Sequence, residues 1–247
     1  METLIGNPCM TDELQRSGRR LCVAIDGPAG AGKSTLAKRI AESLSYLYID
    51  TGAMYRAATW VALEQRCDIS DQDKIVRLVR QADIQLLPPD ENSQGRVRTF
   101  VNGADVSFII RSRIITRFVS ATSAIGGVRQ ILVEKQQRLA QQGGIVMDGR
   151  DIGTVVLPHA ELKIFLTASP EIRATRRLKD MKEMGQMADL ETIITDIKQR
   201  DHLDSTRANS PLRQADDAVL IDTDSYSLDE VCGIVLELCQ EKIKSLN

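Results

Sequence analysis

Residues 27–35 read "GPAGAGKST", directly behind the apolar run "LCVAID". The stretch satisfies G-x-x-x-x-G-K-[ST] with Gly27, Gly32, Lys33 and Ser34, and it stands between a strand-like run and a helical pattern. That placement demands an α/β fold, because a strand must deliver the loop and a helix must leave it. Gly27, Gly30 and Gly32, interspersed with Pro28, Ala29 and Ala31, let the backbone close around phosphate groups with successive N–H groups turned inward. A helix beginning near Lys33 adds the positive end of its dipole. In such a stretch, which ends at Thr35, Lys33 is expected to bridge the β- and γ-phosphates of a nucleoside triphosphate and the Ser34 hydroxyl to ligate Mg2+. A glycine-rich turn that merely packs would leave Lys33 without an anion to offset its desolvation.

Five short apolar runs read as strands: "LCVAID" (21–26), "YLYID" (46–50), "GIVMD" (144–148), "LKIFLT" (162–167) and "AVLID" (218–222). They are almost continuously apolar, as parallel strands covered on both faces require. Helical patterns lie between them. Leu36, Ile40 and Leu44 recur every four residues, and Val128, Leu132 and Leu139 mark a helix ahead of the third run. Ser169-Pro170-Glu171 opens another with an N-cap, a proline at the first position and an acid in the first turn. Ser227 and Glu230 form a capping box ahead of Val231, Ile234, Val235 and Leu238. The alternation predicts a doubly wound five-stranded parallel sheet.

One stretch breaks the alternation. "DIQLL", the polar turn "PPDENSQG" and "RVRTFVNG" read as a hairpin inside a connection too long for an ordinary crossover. An inserted subdomain over residues 66–125 is the expectation. The polar stretch "KDMKEMGQMADLET" (179–192) lies between two helices and reads either as part of a lid, over about 178–195, or as a plain surface loop.

At 247 residues the chain fits one α/β domain carrying an insertion. A formal net charge of −2 gives no general pull toward nucleic acid or anionic membrane, so neither is expected as a partner. Of the 32 basic residues, 22 are arginine, a bias that suits bidentate phosphate capture and also falls within ordinary drift. Five cysteines with no CxxC pair give neither a zinc site nor a disulfide framework, and a reducing cytoplasmic setting follows. No apolar run approaches the roughly 20 residues of a membrane helix. Met1–Arg20 carries Asp12, Glu13 and Arg16 without a hydrophobic segment, so it reads as a loosely ordered extension, not a secretory signal.

A phosphate loop does not name a reaction. The base-reading "NKxD" of a GTPase is absent, and no acidic pair closes a later strand as in helicases. Instead "DTGAMYR" (50–56) ends the second strand and "DGRD" (148–151) ends the third. Ligands of open α/β sheets sit outside the carboxyl ends of the strands, so Lys33, Arg56, Arg150 and Asp151 are expected to converge on one crevice. Taken singly, each arginine reads first as a surface ion pair; three such strand ends converging shift the reading to a second phosphate site. In "RDHLDSTR" (200–207), Arg200, Asp204 and Arg207 share one face if the stretch is helical, as a solvated stripe or as part of that site. Arg173, Arg176 and Arg177 share another face just before the lid, from which arginines can close over a transferring phosphate. His159 and His202 have no partners at catalytic or metal-ligand spacing.

With these stretches in hand, the chain resembles the bacterial cytidylate kinases of the nucleoside monophosphate kinase group, from about Leu21 to Lys242. The resemblance rests on "IDGPAGAGKST", "YIDTGAMYR", "VNGADVSFIIR", "VSATSAIGGVR", "VMDGRDIGTVVLPHAELKIFLTAS" and "IKQRDHLDSTRANSPL". It implies that the insertion binds a nucleoside monophosphate, and that Thr51, Arg129, Asp151 and Arg207 surround a cytosine ring. It places Ser120, Arg200 and Asp204 at the ribose and phosphate, with Tyr55, Arg56 and Arg150 lining the acceptor site. Many members carry "IP" or "HP" where this chain has Ile125-Gly126-Gly127, so a more mobile loop is expected before Arg129.

The resulting expectation is an ATP- and Mg2+-dependent kinase acting on CMP and dCMP, with Lys33, Arg150, Arg177 and Arg200 carrying catalysis. A monomer is the form the resemblance implies. A kinase of another pyrimidine monophosphate, a dual CMP/UMP enzyme and a nucleotide-binding regulator with decayed catalysis are the rival readings.

Overall fold

In the computed structural model, which describes residues 20–93, 95–183 and 187–246, all five apolar runs are strands. The extension expected over Met1–Arg20 lies outside the described residues apart from Arg20. The strands are β1 (Cys22–Asp26), β2 (Leu47–Asp50), β3 (Ile84–Leu87), β4 (Arg98–Val101), β5 (Ala104–Asp105), β6 (Ile145–Gly149), β7 (Leu162–Thr167) and β8 (Val219–Asp222). β2-β6-β1-β7-β8 form one parallel sheet, and β3-β4-β5 form a separate antiparallel one. The helices are α1 (Lys33–Leu44), α2 (Thr51–Glu64), α3 (Gln72–Gln81), α4 (Arg113–Ala124), α5 (Gly126–Ala140), α6 (Pro170–Glu183), α7 (Leu190–Thr206) and α8 (Leu228–Leu246).

The sheet has a core on each face. Leu36 and Ile40 of α1 meet Val23 and Ile25 of β1, Ile164 and Leu166 of β7, and Val235 and Cys239 of α8. On the opposite side Ala24, Ile49, Met147 and Ile152 come together. Fully burying each such aliphatic side chain contributes roughly 1.5–3 kcal/mol. Strands β1, β6 and β7 are covered on both faces as expected, whereas Leu47 of β2 and Val219 and Leu220 of β8 are exposed. These last two strands are the sheet edges.

The insertion is built on a second core. Ala58 and Val61 of α2, Ile75 and Val79 of α3, Ile84, Val101, and Val128 and Leu132 of α5 form one apolar cluster, so the antiparallel sheet leans on helices from both ends of the insertion. Leu139, expected on the buried face of α5, is exposed, and Ala140 is buried in its place.

Two further expectations change. No loop precedes Arg129: Ile125 alone separates α4 from α5, which begins at Gly126. A Cβ on Gly127 would stand 2.7 Å from Val76 Cγ2, so the glycine lets α3 press against this junction. Most of the polar stretch 179–192 is helical, because α6 continues to Glu183 and α7 starts at Leu190. Asp189 caps α7 by accepting from Thr192 N at 2.9 Å, and Ile193 and Ile197 bury against Ala174 of α6. So few apolar residues hold this pair together that its periodicity is faint in sequence. Residues 184–186 of the expected lid lie outside the described residues.

Candidate active site

A cavity of about 390 Å³ lies beyond the carboxyl ends of β1, β2 and β6. On its β1 side the phosphate loop turns into α1. Gly27 adopts φ +146°, and a Cβ there would sit 1.9 Å from the Leu166 carbonyl oxygen, so only glycine lets the loop pass β7. Lys33 is buried, its Nζ donating to the Pro28 carbonyl at 2.7 Å. Burial pulls its pKa well below the ordinary lysine value, and the nearby guanidiniums of Arg150 and Arg200 push the same way against Asp148 and Asp26. A buried cation facing further cations calls for an anion between them.

Ser34 Oγ donates to Asp148 Oδ2 at 2.8 Å, and the Tyr48 hydroxyl donates to Asp148 Oδ1 at 2.8 Å. Burial, reinforced by the charge of Asp50, raises the Asp148 carboxyl to about 6. A hydroxyl and a carboxylate side by side at the loop's end form an all-oxygen donor pair suited to Mg2+.

The opposite wall is cationic. Arg150 Nε donates to Asp204 Oδ2 of α7 at 2.8 Å. Arg56 of α2 donates to Thr116 Oγ1 at 2.9 Å, which fixes its guanidinium against α4. Arg111 donates to the Ser107 carbonyl at 2.6 Å and lies 3.5 Å from Asp50. Arg200 is held mainly by burial, and then by Arg150, at a pKa down to about 10, with Asp204 opposing the shift.

At the far end Asp151 is buried between two arginines. Arg129 Nη2 donates to its Oδ2, and Arg207 Nη2 lies 3.5 Å from its Oδ1. The Arg129 guanidinium also rests 5.3 Å from the centre of the Tyr55 ring. Burial pushes the Tyr55 hydroxyl up to about 12. Tyr55 OH, Arg200 Nε and Arg207 Nη2 are buried without a hydrogen-bond partner, although each belongs to a residue lining this cavity. Thr51 and Ser120 complete the set, Thr51 Oγ1 donating to the Asp148 carbonyl at 2.7 Å.

The sequence profile described as cytidylate kinase matches residues 23–241. The chain belongs to the cytidylate kinase family. A cytidylate kinase of Bacillus velezensis is 50% identical over 224 residues, covering 91% of this chain and 98% of the relative. That of Bacillus subtilis is 49% identical over the same shares, and that of Listeria monocytogenes serotype 4a is 48% identical over 92% of this chain and 99% of its own. A gluconokinase crystal structure from Sinorhizobium meliloti overlays with a TM-score of 0.47 at 15% identity, over 92% of this chain and 97% of its own. So distant a likeness adds nothing to the assignment.

All ten residues that the resemblance to cytidylate kinases assigned to the acceptor nucleotide line this one cavity, together with Ala29, Gly30, Lys33 and Ser34. Arg207 reaches it from beyond the helix, since α7 ends at Thr206, so it does not share a helical face with Arg200 and Asp204. Ala31, Gly32 and Thr35 instead line a second cavity of about 330 Å³ behind the phosphate loop, with Leu166, Arg176 and Thr223. Gly27 and Pro28 line neither cavity, and the Pro28 carbonyl accepts from Lys33.

The arginine tract of α6 divides into three parts. Arg173 is buried and bidentate to Asp201, and it also donates to the Ala29 carbonyl at 3.1 Å, so it braces the phosphate loop. Arg176 donates to Thr223 in the second cavity. Arg177, expected among the catalytic residues, lies outside the main cavity and lines an adjoining one with Arg111 and Arg200.

Asp148 and Arg111 escaped the sequence reading. An aspartate closing the apolar run "IVMD" was a usable signal for the first, because an acid at the end of a strand beside the phosphate loop faces its hydroxyl. Arg111 closes a single 3-10 turn, where no periodicity marks a face.

Proposed function

We propose that this chain transfers the γ-phosphoryl group of ATP to the phosphate of CMP, and of dCMP, releasing ADP and the diphosphate. The observation that carries this reading is the set of buried donors without a hydrogen-bond partner on Tyr55, Arg200 and Arg207, opposite a buried lysine in a phosphate loop. Such groups are costly to bury unless a ligand completes them.

Direct transfer between two nucleotides needs no covalent enzyme intermediate, so catalysis consists of positioning and charge neutralisation. Lys33 and the loop amides take the β- and γ-phosphates of ATP. Ser34 and Asp148 would hold Mg2+, which would supply neutralisation of phosphate charge there. Arg56, Arg150 and Arg200 grip the acceptor phosphate, and Arg150 is aimed by Asp204. The second cavity, between Arg176 and the loop, suits the donor nucleoside.

Cytosine differs from uracil in offering an amine where uracil offers a carbonyl oxygen. Asp151 accepts that amine: each of its oxygens keeps a free lone pair beyond its arginine contact. The same carboxylate repels the uracil oxygen. A cytoplasmic monomer agrees with this reading. No helix among the described residues is long and apolar enough to cross a membrane.

The test is ADP release from ATP and Mg2+ with CMP, dCMP, UMP and AMP supplied separately. Turnover with CMP and dCMP, little with UMP and none with AMP is the expected result. Equal rates on CMP and UMP would remove the role of Asp151. ATP binding without turnover on any acceptor would replace the kinase with a nucleotide-binding regulator.

A further inference from the structure

Among the described residues, the non-glycine residues with positive φ are Ser45, Arg66, Asn102 and Ser210. Three have ordinary explanations. Ser45 is the left-handed C-cap of α1, Arg66 follows the C-cap of α2, and Asn102 with Gly103 forms the turn between β4 and β5. Ser210, at φ 51°, stands three residues beyond the C-cap of α7 and precedes Pro211, a neighbour that itself restricts the backbone. A serine held there has been over-determined by its surroundings, and such strain concentrates where a site must be shaped.

The contacts of Ser210 show what the conformation achieves. Its carbonyl accepts from Arg207 Nε at 2.6 Å, and its hydroxyl accepts from Arg129 Nε at 3.2 Å. One residue therefore holds the inner edge of both guanidiniums that flank Asp151. The segment carrying it is pinned at two sites: Asn209 Nδ2 donates to the Ala124 carbonyl at 3.3 Å, and Leu212 N donates to the Asp204 carbonyl at 2.8 Å. Arg129 comes from α5, Asp151 from the turn after β6 and Arg207 from the end of α7, so no one element could align all three.

We infer that Ser210 is a positioning residue for base selection: it aims Arg129 and Arg207 so that the Asp151 carboxylate faces the acceptor base. It does not touch the reacting phosphates, and its contribution is to the acceptor nucleotide alone. This rests on the proposed reading of the cavity as a cytidylate site. In an extended conformation the Ser210 carbonyl would turn away from Arg207, which accounts for the strained φ.

The test uses the full chain with Ser210→Gly, which accepts the left-handed conformation without strain and removes both Cβ and hydroxyl, and Ser210→Ala, which removes only the hydroxyl and keeps the strained Cβ without the contact that offsets it. KM for CMP is expected to rise roughly tenfold in Ser210→Gly and further in Ser210→Ala, as for loss of a hydrogen bond to a charged group. The ratio of kcat/KM for CMP over UMP should fall in both, while the ATP dissociation constant and the thermal midpoint of Ser210→Gly stay at wild-type values. Unchanged CMP KM and selectivity would overturn the inference, as would an ATP affinity that weakens in step with CMP. Wild-type protein without CMP turnover would instead remove the functional reading, and this inference with it.

Discussion

Arg150 Nε donates to Asp204 Oδ2 at 2.8 Å, and this contact ties the end of β6 to α7. Asp204 stays ionised for the purpose. Burial works to raise its pKa, but the charge and hydrogen bond of Arg150, with Arg200 and Arg207 behind it, outweigh burial and hold it below the usual value. In Asp204→Ala the Arg150 guanidinium loses its guide. KM for CMP is expected to rise roughly thirtyfold, equivalent to about 2 kcal/mol for one charged hydrogen bond, with ATP affinity unchanged. Titration calorimetry with each nucleotide separates the two, and a parallel loss of ATP binding would contradict the division of the cavity.

Lys33 is a case in which activity and stability oppose each other. Its ammonium is buried, and the charges of Arg150 and Arg200 repel it. Lys33→Met should lower kcat by about 10²–10³, the usual effect of removing one transition-state donor. The nucleotide-free variant should melt at or above the wild-type temperature, because a buried, repelled charge has gone. A large drop in melting temperature would mean that Lys33 holds the loop together structurally.

Asp26 gives a pH signature. Its carboxylate accepts from Ile152 N at 2.8 Å and Gly153 N at 2.7 Å, yet burial dominates and lifts its pKa to about 6. A carboxyl raised in the folded state lends stability that is complete below its unfolded value near 3.8 and is lost as pH rises through about 6. Asp26→Asn removes that titration. Relative to wild type, the variant should therefore gain up to about 3 kcal/mol between pH 4 and 7, on top of a constant offset for its missing acceptor. Urea unfolding of both proteins across this range measures the difference, and a flat difference would place the titration elsewhere.

Gly127 tests the fold away from the chemistry. A methyl group there would press on Val76 at 2.7 Å, and α3 would have to move. Gly127→Ala should destabilise the chain by about 1–3 kcal/mol, as overpacking does, even though alanine favours helices. A stabilised variant would show that α3 yields freely.

The five-stranded sheet was legible because buried parallel strands announce themselves as apolar runs, and because "GPAGAGKST" fixes where the first of them ends. The capping box was equally plain: Ser227 N donates to Glu230 at 2.7 Å, and Glu230 N donates back to Ser227 Oγ at 3.3 Å. What sequence hid was the division of labour among like residues. Arg173, Arg176 and Arg177 are indistinguishable by spacing, yet one braces the phosphate loop, one bonds Thr223 and one faces another cavity. Those fates depend on Ala29, Asp201 and Thr223, which are distant in the chain. Ser210 was silent for a similar reason, because a backbone angle leaves no mark in a sequence where the residue is not glycine.

Asp26 stands opposite Gly149 in the pairing of β1 with β6. The phosphate loop departs one residue after the first, and Arg150 follows the second. Adjacent strands lie about 4.8 Å apart, so the gap between the phosphate loop and Arg150 is a lattice constant of the sheet. A slip of one residue in β6 would move Arg150 by about 3.3 Å along the strand and turn Asp148 to the other face. No exchange of side chains could recover that loss. Side chains along the rim can change one at a time, while the spacing between the phosphate loop and Arg150 is inherited with the backbone.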